Sequence, residues 1–174
     1  MPNYRRNHLA GGCYFFTVAL AERQSTLLVD AIDKLRSAVS ATREQHPFTI
    51  NAWVVLPEHM HAIWTLPDDD GDYPLRWRLI KSNFSRSLPV VEYRRESRIR
   101  KNERGIWQRR YWEHTIRDED DYRRCFDYVH YNPVKHHHVA SVADWPYSTF
   151  RRCVNEGIYP ADWATGDIDG DFGE

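Results

Sequence analysis

Apolar, β-branched and aromatic residues concentrate in runs whose length suits β-strands. Residues 13–20 (CYFFTVAL), 48–57 (FTINAWVVLP) and 59–67 (HMHAIWTLP) have this character, and residues 106–116 (IWQRRYWEHTI) form a fourth, weaker run. Only a few residues around Glu58 separate the second run from the third, which suits neighbouring antiparallel strands. The pattern therefore predicts four strands, two of them adjacent.

Three other stretches carry apolar residues at the spacing of an amphipathic helix. The first begins near Leu27 and ends at Pro47, and the second, residues 75–88 (LRWRLIKSNFSRSL), is strongly basic. The third has Asp118 as its N-cap, acidic residues in its first turn and Pro133 as its expected end. Residues 89–105, between the second helix and the last strand, are charged and irregular, and we expect a mobile loop.

The order of these elements predicts the fold class. A chain that reads β-α-β-β-α-β-α indicates an α+β protein with a single antiparallel sheet and helices on one face, related to the ferredoxin-like arrangement. We expect residues 1–150 to form one catalytic domain and residues 151–174 to form an acidic C-terminal tail. The last stretch, ATGDIDGDFGE, is predicted to be loosely packed or disordered.

Composition places the chain among ordinary globular proteins, with 41% hydrophobic and 28% charged residues. No stretch approaches the roughly 20 apolar residues of a membrane helix, and the N-terminus lacks an apolar signal region. We therefore expect a cytoplasmic protein without a membrane partner. Its three cysteines show no CxxC spacing, which argues against a disulfide framework or a cysteine-rich zinc site.

The net charge of −1 conceals an uneven distribution of charge. Residues 76–124 hold 15 Lys and Arg against 8 Asp and Glu, whereas residues 154–174 hold six acids and no Lys or Arg. Such asymmetry favours a polyanionic partner, although a solvated helix face is the alternative. Aromatic residues, at 14%, alternate with arginines in places, which suits stacking of unpaired bases and contact with phosphates. Lys81, Arg109 and Arg110 are the predicted phosphate contacts.

Two histidines two positions apart, His59 and His61, interrupt the third apolar run. Alternate residues of a strand point to the same face, so both imidazoles can approach one metal ion. The alternative is a pair of structural histidines hydrogen-bonded to neighbours. On the third helix, Tyr128 and Asn132 share a face at the flank of the buried stripe. Tyr128 can therefore be held by its neighbours while its hydroxyl reaches solvent. The alternative is an ordinary surface tyrosine.

These motifs together resemble the REP-associated tyrosine transposases, relatives of the single-tyrosine HUH transposases of small bacterial insertion sequences. The resemblance rests on LPEHMHAIW (residues 56–64), on DYVHYNPVKH (127–136) within a longer matching stretch, and on DWPYST (144–149). It extends over residues 3–164, which is most of the chain. The HxH pair alone would not be specific, whereas the helix-to-loop motif DYVHYNPVKH is.

The resemblance implies an HUH transposase fold and a set of site residues. His59 and His61 would be the HUH pair, Asn132 the third metal ligand, and Tyr128 the nucleophile. The implied metal is Mg²⁺ or Mn²⁺, and the implied substrate is an imperfect-palindrome DNA hairpin flanked by a short tetranucleotide. Tyr4, Arg5 and Arg6, with the basic helix and loop, would contact that DNA, and His136 could contact a phosphate.

The expected reaction is sequence-specific cleavage and joining of single-stranded DNA through a 5′-phosphotyrosine. A protein that binds hairpins without cleaving them, and a metal-dependent nuclease that uses activated water, remain alternatives. Glu58 and His114 are both conceivable general bases, and the sequence does not select one. We expect a monomer, since the C-terminal extension could occupy the surface through which insertion-sequence relatives dimerise, although a dimer is possible.

Overall fold

The computed structural model describes residues 6–164 and contains one four-stranded antiparallel sheet. Its spatial order is β2-β3-β1-β4. The predicted α+β class and single antiparallel sheet are confirmed, because the four predicted apolar runs all contribute strands. The strands are β1 (Cys13–Ala19), β2 (Thr49–Val55), β3 (His59–Thr65) and β4 (Trp112–Thr115).

The first two predicted helices are the crossovers of a ferredoxin-like arrangement. The first is divided at Ala31 into α1 (Leu27–Asp30) and α2 (Ile32–Gln45). The second, α3 (Tyr73–Arg86), begins at a true N-cap, because the Asp72 carboxylate accepts a 3.0 Å hydrogen bond from the Leu75 amide. The basic stretch of sequence thus becomes a helix that packs beside α2.

Part of the predicted loop at residues 89–105 is helical, as α4 (Glu96–Arg100). Arg104 connects this segment to the end of α3. Its guanidinium donates hydrogen bonds to the carbonyls of Leu88 and Pro89 and to the Glu92 carboxylate. The basic segment is therefore attached to the domain by an arginine that the sequence pattern assigned to an irregular loop.

The third predicted helix, α5 (Glu119–Lys135), continues past Pro133, so the expected end at this proline is wrong. Asp118 caps its N-terminus as predicted, accepting a 2.8 Å bond from the Asp121 amide. The helix ends at Lys135 with His136 as its C-cap, and the next residue, His137, has a left-handed φ of 58°. The His138 amide bonds to the Pro133 carbonyl at 2.9 Å, which is the closing bond of a Schellman motif. The proline interrupts one internal bond but does not break the helix.

Helices cover both faces of the sheet, which corrects the expectation of helices on one face. The crossover helices α1 to α3 cover one face, where Phe16 and Trp64 are buried. On the other face Phe15 and Ile63 pack against α5 and α6 (Phe150–Asn155). The strands carry apolar residues on both sides, and so each face needs a cover. The second cover is the layer in which the histidine pair lies.

The C-terminal segment begins by packing onto this second layer. The expected domain boundary at residue 150 falls at the start of α6, where Phe150 and Cys153 are buried, and Trp163 packs against the same cluster. Residues 165–174, which include four of the six acidic residues of the predicted tail, lie outside the described residues. Within residues 6–164, no helix combines the length and apolar character needed to cross a bilayer.

Candidate active site

The predicted histidine pair lies on the sheet face covered by α5. Both His59 and His61 are buried, with 6% and 4% exposure, and their ring centroids are 5.0 Å apart. They project to one side of β3, as the strand alternation requires, while Met60 between them is buried on the other. The structure therefore brings the two imidazoles together in the arrangement that the sequence predicted.

Each imidazole is oriented by a hydrogen bond through its Nδ1 atom. His59 Nδ1 lies 2.8 Å from the Glu58 carboxylate, and His61 Nδ1 lies 2.9 Å from the Thr17 hydroxyl. Such bonds hold the ring and leave Nε2 for another role, as is typical of metal-binding histidines. His61 Nε2 is buried and makes no hydrogen bond within the described part of the chain. Glu58, a conceivable general base, instead supports His59.

Burial keeps both imidazoles neutral. It lowers the pKa of His59, although the Glu58 carboxylate opposes this effect. Burial also holds the pKa of His61 well below its usual range, and electrostatic interactions with His59, His136 and Lys135 act in the same direction, because they disfavour a charge on His61. A neutral imidazole has the lone pair that a metal ligand needs, so both residues are prepared to bind a cation near neutral pH.

Asn132 is fully buried on α5, beside the histidines. Its amide is close enough to His59 to raise the pKa of that imidazole against the effect of burial. Neither its oxygen nor its nitrogen makes a full hydrogen bond to another of residues 6–164. Buried amides are normally satisfied, so an unpaired amide oxygen beside two available imidazole nitrogens fits a three-ligand site for a divalent cation.

Tyr128 lies on α5 with its ring edge-on to that of His61. Its ring centroid is 5.2 Å from that of His61 and 5.8 Å from that of Phe15. Lys135, two turns further along the helix, places Nζ 3.5 Å from the Tyr128 hydroxyl and 4.8 Å from the ring centroid. A lysine at this position can stabilise negative charge on the phenol oxygen or on a nearby phosphate.

The histidines and Tyr128 line one open pocket of about 540 Å³, within the size range of ligand-binding clefts. Arg23 and Arg124 contribute positive charge to its wall, and His136 also lines it, with its ring 5.2 Å from that of His59. His136 therefore lies where it could contact a phosphate bound in the pocket, and this contact, predicted from the sequence, stays a prediction. The pocket combines a candidate nucleophile, candidate metal ligands and groups that attract an anion.

Three of the other predicted DNA contacts, Arg6, Lys81 and Arg109, lie in a separate groove beside α3, on the opposite side of the sheet. The Arg6 guanidinium stacks over the Tyr111 ring, 4.2 Å from its centroid. Arg109 Nε forms a salt bridge with the Glu103 carboxylate at 2.8 Å. Burial lowers the pKa of Lys81 to about 8, and the charge of Arg6 adds to this. All three line a cavity of about 770 Å³, whereas Arg110 is exposed outside it. Tyr4 and Arg5 lie outside the described residues.

A second group that could hold a metal ion lies in the first pocket. The ligand atoms of His114, Asp121 and Cys125 all lie within 4.8 Å of one another. Asp121 already accepts bonds from His114 Nε2 at 2.8 Å and from the Arg117 amide at 3.1 Å, and the Arg124 guanidinium is 3.7 Å away. These donors occupy the carboxylate of Asp121, and the bond to Asp121 fixes the orientation of the His114 ring. Its residues come from β4 and α5, and no sequence spacing indicated them.

Comparison with known proteins identifies the family, although no family model matches the chain. A REP-associated tyrosine transposase of Escherichia coli K12 is 49% identical over 97% of this chain and 93% of its own length. The chain belongs to the REP-associated tyrosine transposases. A Haemophilus influenzae relative of the same family name is 47% identical over 94% of this chain and 93% of its own. The resemblance drawn from the motifs is thereby confirmed.

A solved REP-associated tyrosine transposase, bound to a REP hairpin, has the same fold. It shares 47% sequence identity with this chain and superposes with a TM-score of 0.83, over 97% of this chain and 96% of the other. The high coverage means that the strands, the crossover helices and the α5 layer all have counterparts in a REP-associated tyrosine transposase.

Sequence reasoning missed three residues that shape this transposase pocket. Thr17 orients His61, yet it lies 44 positions away and is brought there only by the pairing of β1 with β3. Trp112 lines the pocket from β4. Lys135 had a signal that could have been used, because a residue seven positions after Tyr128 lies on the same face of a helix.

Proposed function

We propose that this protein cleaves and rejoins single-stranded DNA beside REP-type hairpins, with Tyr128 as the nucleophile and a 5′-phosphotyrosine as the intermediate. The observation that carries the proposal is the 5.2 Å separation between the rings of Tyr128 and His61 within one open pocket. A buried histidine pair with orienting hydrogen bonds, a phenol beside it and membership of a tyrosine transposase family support the same chemistry.

In the proposed reaction the Tyr128 oxygen forms a bond to the scissile phosphorus as the bond from phosphorus to the 3′-oxygen breaks. The phenol loses its proton and the departing 3′-oxygen gains one. Phenols have a reference pKa near ~10, so this nucleophile needs help at neutral pH. The Lys135 ammonium, 3.5 Å from the hydroxyl, supplies positive charge where the phenolate forms. Attack by another 3′-hydroxyl on the phosphotyrosine reverses the step and joins strands without an energy source.

His59, His61 and Asn132 are the residues that would hold a divalent cation, and we propose Mg²⁺ or Mn²⁺. Their fit rests on two neutral imidazoles held through Nδ1 and on the buried amide oxygen of Asn132. When bound, such an ion neutralises and orients a phosphate oxygen. Arg23, Arg124 and His136, which line the same pocket, would hold the phosphate close to Tyr128.

We further propose that the hairpin and its flanking tetranucleotide bind along the basic groove, where Arg6, Lys81 and Arg109 lie, while the strand to be cut enters the histidine pocket past His136. The hairpin carried by the related transposase structure supports this choice of substrate. Basic side chains position DNA mainly through its phosphates, so this groove would supply affinity more than sequence discrimination. A monomer is sufficient, because one chain contains all of these groups.

The test is a labelled single-stranded hairpin incubated with Mn²⁺ and analysed on a denaturing gel. The parent protein should form a covalent adduct and cut the strand, whereas Tyr128→Phe should bind the hairpin and do neither. Tyr131→Phe, on the next turn of the same helix, is the matched control and should retain both activities.

Two outcomes would replace this proposal by the alternatives. Hairpin binding by the parent protein without adduct or cleavage would indicate a protein that only binds. Cleavage that survives Tyr128→Phe, with no adduct in either protein, would indicate a nuclease that uses activated water.

A further inference from the structure

Trp112 is the exposed tryptophan of this protein. All seven tryptophans lie within residues 6–164, and the other six are buried or half-buried, whereas Trp112 is 55% exposed. Tryptophan is usually well buried because its ring is large and mostly apolar. Trp112 lines the same pocket as Tyr128. Its exposed ring is therefore available for contact with a ligand in that pocket.

The Trp112 ring is held on one side by a chain of contacts. It stacks on the His114 ring with an interplanar angle of 6° and a centroid distance of 5.8 Å. His114 is fixed in turn by its 2.8 Å bond to Asp121, and the Phe15 ring meets Trp112 edge-on at 5.7 Å. The indole therefore has a set orientation before any ligand arrives, which lowers the entropy cost of binding to its open side.

Strand register gives the position of this ring relative to the histidines. Thr17 on β1 pairs with His61 on one side and with Trp112 on the other, so the three residues form one row across neighbouring strands. Neighbouring strands lie about 4.8 Å apart, which places the backbone of Trp112 about 10 Å from that of His61. Residues in one row point to the same face, so Trp112 faces the layer that contains Tyr128.

We propose that Trp112 is a stacking platform for an unpaired nucleobase next to the scissile phosphate. A flat, oriented indole fits the face of a base, and Arg124 in the same pocket can donate hydrogen bonds to the adjoining phosphate. Stacking of this kind tolerates any base, because every base has an aromatic face. The inference rests on the proposed function for its substrate, but it concerns binding of the strand and not the cleavage step.

The experiment measures equilibrium binding in the Tyr128→Phe background without added metal. Fluorescence anisotropy compares a labelled hairpin that carries an unpaired flank with the same hairpin lacking the flank. Trp112→Ala should weaken binding of the flanked hairpin about 5- to 150-fold, which corresponds to ~1–3 kcal/mol per stacked base. Trp112→Phe, which keeps an aromatic face, should restore most of the affinity. The flankless hairpin should bind all three proteins equally.

A series of abasic sites along the flank identifies the stacked base. When the abasic site is at that position, the parent should bind the oligonucleotide as weakly as Trp112→Ala binds the intact flank. Trp112→Ala should bind the abasic and the intact oligonucleotides with equal affinity. Equal losses on the flanked and flankless hairpins, or unchanged binding by Trp112→Ala, would overturn the proposal. The assay measures binding and not cleavage, so it tests the role of Trp112 even if Tyr128 proves not to form an adduct.

Discussion

Acid should destabilise this protein through His130, which is fully buried on α5. Its Nδ1 atom lies 2.9 Å from the Phe126 carbonyl and its Nε2 atom 2.8 Å from the Thr149 hydroxyl. Burial lowers its pKa to about 4, although the Phe126 carbonyl opposes this effect. An unfolded histidine has a pKa of ~6.5, so the unfolded chain binds the proton more tightly.

The sign and size of the effect follow from this difference. Stability from the neutral imidazole is complete above pH ~6.5 and is lost as the pH falls towards the folded pKa. At ~1.36 kcal/mol per pH unit, the loss reaches about 2 kcal/mol at pH ~5 and about 3 kcal/mol below pH ~4. The free energy of unfolding of a small domain is only about 5–15 kcal/mol, so one buried histidine accounts for a measurable share.

Urea unfolding of the parent and of His130→Gln at pH ~7.5 and ~5 measures this contribution. The difference in the free energy of unfolding between the parent and the variant should decrease by about 2 kcal/mol at the lower pH, because glutamine cannot titrate. The buried histidines His59 and His61 are present in both proteins, so their titration cancels in the comparison. A difference between parent and variant that is the same at both pH values would refute the argument that burial keeps His130 neutral.

Glu58→Gln should weaken binding of Mn²⁺ about tenfold or more, because the neutral amide supports the His59 ring less well than a carboxylate does. Calorimetric titration measures this, with the exposed Glu44→Gln as control, and equal affinities would contradict the role of Glu58. Hairpin affinity should fall between pH ~7 and ~9 as Lys81, whose pKa is lowered to about 8, loses its charge. Lys81→Arg should remove that fall, and an identical pH dependence in both proteins would show that another group causes it.

The strands and the faces of their side chains could be read from local patterns. The apolar runs at residues 13–20 and 59–67 became β1 and β3, and the two-residue spacing put His59 and His61 on one face. The Asp118 cap was equally readable, because a capping side chain acts only on the next few residues. The end of α5 predicted at Pro133 was wrong, since the helix end depends on the left-handed residue His137 and not on the proline alone.

By itself, then, the sequence determined the four strands and the three long helical stretches, the face to which each strand side chain points and, through its motifs, the family. These depend on periodicity and on neighbouring residues, which a linear chain displays directly. Only the tertiary structure decided that α5 covers the histidine face, that Thr17 orients His61, that the Tyr128 ring lies 5.2 Å from that of His61, and that Trp112 is left open beside them. Those relations join residues far apart in the chain, and they exist only once strand pairing and helix packing have brought the residues together.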